Sequence, residues 1–441
     1  MTNVNSSTDL GKGVHSYRTV ALVIALGEFL DGYDLLIVGS VVLFLKQSFP
    51  GLTPSSLGLV SAASFYGAAL GCLLAGDLSD RLGRKKIYVV NLLLFVVFAV
   101  LSAFARNIPD LVVARFLVGV GVGADLPASV SYLSEIAPAH QRGKMMGSLP
   151  NLMWLVGALV SVLVAVALIP VGPSAWRWMF GLAAVPAVII LTIRQFLPES
   201  PRWLINHGRS DEARVVCERF GVKLPESAYG ASANHGKGTI REVFGGKTIV
   251  TTLVVVGVFF FNCAGTSSST VATPYIVHFE GFSTRGSLLF SALVFVADIV
   301  GLAIGSYFID KIPRRRLGMI SAAGTMICTL LIGIVGPHSH ALLIVFFLLL
   351  ALFAWSGITV LVWVWPELFP TRIRARGQGL SNATCRIATG SAVFAVPPLL
   401  AALGFASTVE LYAVPLLVLF VIIAISKRLD TTGKSLEELS S

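Results

Sequence analysis

Twelve long apolar runs punctuate this chain, near 20–45, 57–76, 87–105, 111–133, 145–169, 178–197, 248–278, 287–309, 317–336, 341–364, 378–402 and 407–426. Crossing a bilayer takes about 20 consecutive apolar residues. Inside lipid a span must satisfy its own backbone polar groups, which makes runs of this length helices. Composition agrees: 55% of the 441 residues are hydrophobic and 13% charged, against about 25% charged in a soluble domain. The expectation is an all-α polytopic membrane protein with twelve transmembrane helices. The polar amino terminus and the length of the first run speak against a cleavable signal peptide.

Basic residues set the orientation. If the first run leaves the cytoplasm, Lys46, Arg106, Arg177 and Arg285 are the only basic residues in outer loops. Arg115 and Arg386 lie within runs, and the rest fall at the chain ends or in inner connections. Both termini are therefore expected on the cytoplasmic side of the cell (inner) membrane. The net charge of +10 is accounted for by inner loops facing anionic lipid, with no nucleic-acid partner. The five cysteines, 72, 217, 263, 328 and 385, lack metal-ligand spacing and read as small buried hydrophobes. The histidines avoid the middles of the runs. Without a catalytic dyad, a metal cluster or a GxxxxGK[ST] loop, the chain reads as neither an enzyme nor an ATP-driven pump, and no cofactor is expected.

The longest polar segment divides the spans into two sets of six. The expected layout is a cytoplasmic tail (1–19), a six-helix half (20–197), a cytoplasmic linker (198–247), a second half (248–426) and a tail (427–441). In the linker, SDEARVVCERFG reads as a short amphipathic helix with Ser210 as N-cap and Gly221 as stop; SAYGASANHGKG reads as flexible. The halves share a repeat. EIAPAHQRGKMMG (135–147) and ELFPTRIRARGQG (367–379) match at one constant offset, through Glu135, Pro138, Arg142 and Gly147 against Glu367, Pro370, Arg374 and Gly379. DRLGRKK (80–86) and DKIPRRR (310–316) match at nearly the same offset. Two repeats around a central cavity are the layout of alternating-access carriers.

These stretches carry a family resemblance. GDLSDRLGRKK (76–86) resembles the loop signature of the major facilitator superfamily, and RFLVGVGVG (115–123) its helix-4 signature. PESPRWL (198–204) and PELFPTRIR (366–374) resemble the metabolite:proton symporters, a group of sugar porters, aromatic-acid symporters and organic-ion transporters. The resemblance covers essentially the whole chain. It implies two pseudo-symmetric six-helix halves of the major facilitator fold, functional as a monomer.

The first run holds GEFLDGYDLLIVG, with Glu28, Asp31 and Asp34. A central Asp costs about 2.5–3.5 kcal/mol even on lenient insertion scales. The three acids fall within a sector of about 120° on a helix, so they can share one face turned toward a cavity. Desolvation favours a neutral acid and a nearby cation favours the carboxylate, so a group moved between the two surroundings loads and releases a proton. A structural ion pair or helix hydrogen bond is the alternative. DGYD (31–34) resembles the helix-1 signature of aromatic-acid:proton symporters, and its GYD part matches sugar porters. The resemblance implies Asp34 as proton carrier, with Asp31 beside it and Arg115 as partner; for Arg115, snorkelling is the plainer reading.

Candidates for the substrate are Arg386 and Asn382 on the eleventh run, Tyr33 in the helix-1 signature, Asn151 and Trp154 on the fifth run, and Asp298 on the eighth. An arginine fork suits a carboxylate or phosphate. By the resemblance, a basic residue on this helix goes with anionic substrates; the alternative is a pair with Asp298, Asp125 or a helix-1 acid. Trp154 suits aromatic packing equally well. A third set, Asp77, Asp80, Arg81, Gly83, Arg84, Glu135, Arg142, Glu367 and Arg374, reads as a latch tying cytoplasmic helix ends and breaking as the cavity turns inward; Asp125 in GADLP is grouped with it as a gating residue, with proton passage or stabilising a helix-4 kink beside Pro127 as the alternatives. Pro313 replaces Gly83 in the second loop, which should stiffen its turn.

The chain departs from hexose porters: FNCAG (261–265) stands where they carry paired glutamines, and LDTTG (429–433) where they carry PETKG. The expected function is proton-coupled uptake of a small organic anion, an aromatic or sugar acid. The alternative is a proton-coupled exporter or a facilitative carrier of a sugar-like metabolite or organic cation. The expected partners are the solute, protons and the bilayer.

Overall fold

The computed structural model describes residues 17–136, 142–220, 240–362, 364–370 and 373–432. The first half comprises α1 (Tyr17–Ser48), α2 (Pro54–Leu82), α3 (Arg84–Ala103), α4 (Ile108–Ile136), α5 (Arg142–Ala167) and α6, built of Ala175–Gly181 and Ala184–Arg194. The second half has α7 (Ile249–Thr270), α8 (Thr284–Phe308), α9 (Arg314–Val335) and α10 (His340–Ser356). The helical stretch Arg374–Leu411 breaks at Gly404, whose φ of 74° lies outside any helix; residues up to 403 form α11, and 405–425 form α12. No strand occurs among the described residues. Helix starts follow local chemistry. Thr53 caps α2 just before Pro54, and Ser283 and Ser339 cap α8 and α10 through their hydroxyls.

Besides the short turn within α6, two runs that read as unbroken spans are interrupted. The seventh gives α7 and then a separate helix, Thr273–Phe279, and the tenth gives α10 and then Ile358–Val362 beyond Gly357. In the linker, Pro201–Asn206 and Ser210–Phe220 are helical, with Ser210 as first helical residue; Gly221 lies outside the described residues.

Lipid offers no hydrophobic drive for helix association, so close packing of small residues does the work. Gly67 and Gly71 on α2 and Gly119 and Gly123 on α4 are each four apart, and a Cβ at any of them would collide with a carbonyl of the facing helix. This interlock is the physical content of the glycine spacing in RFLVGVGVG.

The halves meet along α2 against α11 and α5 against α8. On the face opposite the chain ends the seam is shut. Gly58 lies directly on the Phe394 carbonyl, and the Tyr66 and Ser391 hydroxyls are 3.3 Å apart. On the other face the repeat becomes structural. Gly83, at φ 96°, turns α2 into α3, and Glu199, just after α6, accepts from the Arg84 amide (2.9 Å) and the Lys85 amide (3.2 Å). In the second half the Arg314 amide donates to Thr432 Oγ1, just after α12, at 2.8 Å. In each half the segment following the sixth span thus caps the third.

Candidate substrate cavity and its buried charges

A cavity of about 130 Å³ lies between the halves. The first half contributes Glu28 and Leu36 from α1, Phe65 from α2, and Asn151 and Trp154 from α5. The second half contributes Phe259, Asn262, Thr266 and Thr270 from α7, Trp355 from α10, and Asn382, Arg386 and Thr389 from α11. The Trp154 and Trp355 rings meet across it, 6.0 Å between centroids. The mix of indole faces, amides, hydroxyls and one guanidinium suits a small polar solute with an apolar body. The amide oxygens of Asn262 and Asn382 are buried without a hydrogen-bond partner among the described residues. Arg386 forms no ion pair among the described residues. Of its expected alternative partners, Asp125 is held elsewhere.

The three acids of α1 enter three different surroundings. Asp34 takes a bidentate bond from Arg115, at 2.8 and 2.6 Å, and Arg115 also reaches the Asp34 carbonyl at 3.1 Å. Both side chains are 0% exposed, and the Arg115 guanidinium stacks 4.4 Å from the Phe180 ring. Asp31 borders a small cavity between α1, α3 and α4 together with Asn91 and Asp125; Asp31 Oδ2 and Asn91 Nδ2 are buried there without partners among the described residues. Glu28 alone lines the central cavity. The shared wet face expected of the trio is therefore not formed. With about 100° per residue, Glu28 and Leu36 set the cavity-facing direction of α1, and Asp34 points roughly the opposite way, into the first half.

Four of the six substrate candidates, Arg386, Asn382, Asn151 and Trp154, line the cavity. Tyr33 does not. It is turned into the first half's core, where its hydroxyl donates to the Met179 carbonyl at 3.2 Å. Asp298 is buried on α8, off the cavity, with Oδ2 unpartnered among the described residues.

Asp125, read as part of the latch, is inside the first half instead. Arg194 at the end of α6 clamps it at 2.5 and 3.0 Å, donates to the Ile24 carbonyl at 2.9 Å and lies 4.8 Å from the Tyr88 ring. Of the remaining latch candidates, Glu367 accepts from Arg314 at 3.2 Å and Arg374 donates to the Phe369 carbonyl at 3.1 Å; Arg314, not among the candidates, also donates to Thr431 Oγ1 at 2.9 Å. Arg84 donates to the Ser79 carbonyl at 3.4 Å, and Arg81 is exposed. The side chains of Asp77, Asp80, Glu135 and Arg142 lie outside the described residues.

Sequence reasoning missed Arg194, Glu199 and a cysteine pair. Arg194 lies within the limits of the sixth run, 178–197, and not in an inner connection where the count of basic residues put it; its depth was the available signal. Glu199 belongs to the PESPRWL stretch already singled out. Cys263 and Cys385, read as separate small hydrophobes, form a disulfide between α7 and α11 with Cα atoms 5.5 Å apart, and both border the cavity. A separation of 122 residues carries no local signal of such a pairing.

The family model for sugar (and other) transporters matches residues 20–441. The chain belongs to that family, within the major facilitator superfamily. As a sugar (and other) transporter it is 30% identical over 446 residues to an arabinose-proton symporter of Bacillus subtilis, covering 96% of this chain and 95% of the relative. It is 28% identical to the niacin transporter NiaP of Acinetobacter baylyi, covering 96% of each. Its fold matches the xylose transporter XylE from E. coli in a partially occluded inward-open conformation, with a TM-score of 0.80 at 23% identity, over 92% of this chain and 97% of that one. The protein is a membrane transporter rather than an enzyme, and its twelve spans form the major facilitator fold.

Proposed function

We propose that this transporter takes up a small organic anion, an aromatic or sugar acid, together with protons. It does so by alternating access as a monomer in the cytoplasmic membrane, with both termini inside. The observation that carries the reading is Arg386: a guanidinium facing the cavity with no ion pair among the described residues. An unneutralised cation in such a site is costly unless an anion joins it. The indoles of Trp154 and Trp355 supply flat apolar surface beside it. Relatives that handle arabinose with protons and niacin, a pyridine carboxylate, span the chemistry the cavity suits. With the seam shut opposite the chain ends, the cavity serves the cytoplasmic side in this orientation.

Asp34, with Arg115, is the proton site in this reading. Because the pair is sealed, proton exchange there requires α1 and α4 to part during the cycle. Asp34→Asn should abolish proton-driven accumulation in proteoliposomes while solute exchange across the membrane survives; loss of both would make Asp34 structural. Glu367 with Arg314 and the remaining loop residues serve as the cytoplasmic latch.

One observation favours a second reading. The unpartnered amide oxygens of Asn262 and Asn382 are acceptors suited to sugar hydroxyls, as in a carrier of a neutral sugar-like metabolite. A thermal-shift screen of the purified protein against sugar acids, aromatic acids, hexoses and organic cations separates the two. Stabilisation by an acid that is lost in Arg386→Ala supports the anion reading. Stabilisation by hexoses or cations alone overturns it.

A further inference from the structure

We propose that Glu28 is the carboxyl group through which protons and the solute compete for Arg386. When Glu28 is ionised its charge is matched to Arg386 and opposes a second anion in the cavity. When it is protonated, the guanidinium is left free for the solute's carboxylate. This rests on the anion reading above and deepens it.

Geometry carries the argument. Glu28 is the one acid of α1 that borders the cavity; Asp34 is enclosed by Arg115, and Asp31 faces the separate pocket beside Asn91. Glu28 is 6% exposed, and neither it nor Arg386 has an ion pair among the described residues, so both groups remain available to other partners. They belong to α1 and α11, one in each half, and line the same cavity, so their charges act on each other across the seam. Rocking of the halves therefore changes the distance between them directly.

The other charges facing Glu28 do not compensate it. Asp125 from α4 and Arg194 from α6 neutralise each other in their bidentate pair, and Asp31 lies one turn further along α1. Among the described residues that face Glu28, Arg386 is the remaining cation without an ion pair. In a poorly solvated cavity one guanidinium cannot balance two carboxylates without cost. Anion binding must then promote protonation of Glu28, and by reciprocity protonation must promote anion binding.

The test has two arms on the full-length protein in lipid. Infrared titration without any solute reads the protonated-carboxyl band. The expectation is a band lost in Glu28→Gln, regained in Glu28→Asp, and persisting to more alkaline pH in Arg386→Gln than in the wild type. A band unchanged in both Glu28→Gln and Arg386→Gln overturns the proposal. The second arm measures binding of benzoate, nicotinate and gluconate by thermal shift across pH. Affinity in the wild type should fall by about tenfold per pH unit once Glu28 ionises, as one linked proton requires, and should lose that slope in Glu28→Gln. A slope retained in Glu28→Gln overturns the proposal. If none of the three anions binds while the solute-free arm behaves as expected, the anion reading fails and the Glu28–Arg386 coupling stands.

Discussion

Arg194 and Asp125 form a buried ion pair in which the two terminal guanidinium nitrogens engage both carboxylate oxygens. Removing one member leaves a buried charge without its counterpart, which costs about 3–5 kcal/mol. Arg194→Met is therefore expected to lower the thermal unfolding midpoint of the solubilised protein sharply. Arg194→Met with Asp125→Leu should recover much of the loss, since replacing both partners by apolar groups is often close to neutral. At Cys263 and Cys385, mass spectrometry of unreduced digests should find the two peptides joined and reductant should part them; separate peptides before reduction would exclude the bond. At this scale the sequence was informative where a motif named both partners, as with Asp34 and Arg115. It was silent where proximity depends on how two distant helices face each other, as with Arg194 and the cysteines. Spacing placed Glu28, Asp31 and Asp34 on one sector, but the rotation of α1 against its neighbours decided which of them met the cavity.

Helix ends and crossings are set more locally, and more of them could be read in advance. Thr53 with Pro54, and Gly83 at the α2–α3 turn, act where their residue types suggest. The interruptions after α7 and α10 were hidden, because hydropathy does not distinguish a continuous span from a broken one buried in protein. Gly58 has no room for a side chain against Phe394. Gly58→Trp should therefore pry α2 from α11 on the face opposite the chain ends. Spin labels at Ser55 and Ala402 should report a longer separation than without the Trp; an unchanged distance would mean the seam absorbs the bulk elsewhere. In the exposed helix Ser210–Phe220, Arg209 donates twice to Glu212 at 2.6 Å, and these bonds hold the Glu212 carboxyl below its ordinary range. A depressed folded-state value means the bonds support the helix above the ordinary carboxylate range and are lost as pH falls through the lowered one. Protection factors of residues 210–220, taken from amide exchange corrected for its intrinsic pH dependence, should fall over that acidic interval and stay flat near neutrality.

For the whole molecule the two halves repeat a construction rather than a sequence. Glu199 caps α3 and Thr432 caps α9, a carboxylate in one half doing with charge what a hydroxyl does in the other. Loss of a cap costs about 1 kcal/mol, and a charge-assisted bond is roughly twice as strong as a neutral one. Glu199→Ala should accordingly loosen the start of α3 more than Thr432→Val loosens the start of α9, as read by amide exchange at Arg84–Ile87 and Arg314–Leu317. Equal effects would mean that the charge adds nothing there. The twelve-span, two-half plan was legible because lipid leaves a chain so few ways to bury its backbone; the solute was not, because specificity resides in a handful of side chains that converge from six spans. Among those side chains, Trp154 and Trp355 touch from opposite halves. In the proposed cycle their separation changes as one half moves against the other, so the change in ultraviolet emission gives an unlabelled optical gauge of transport, one that replacing either indole should remove.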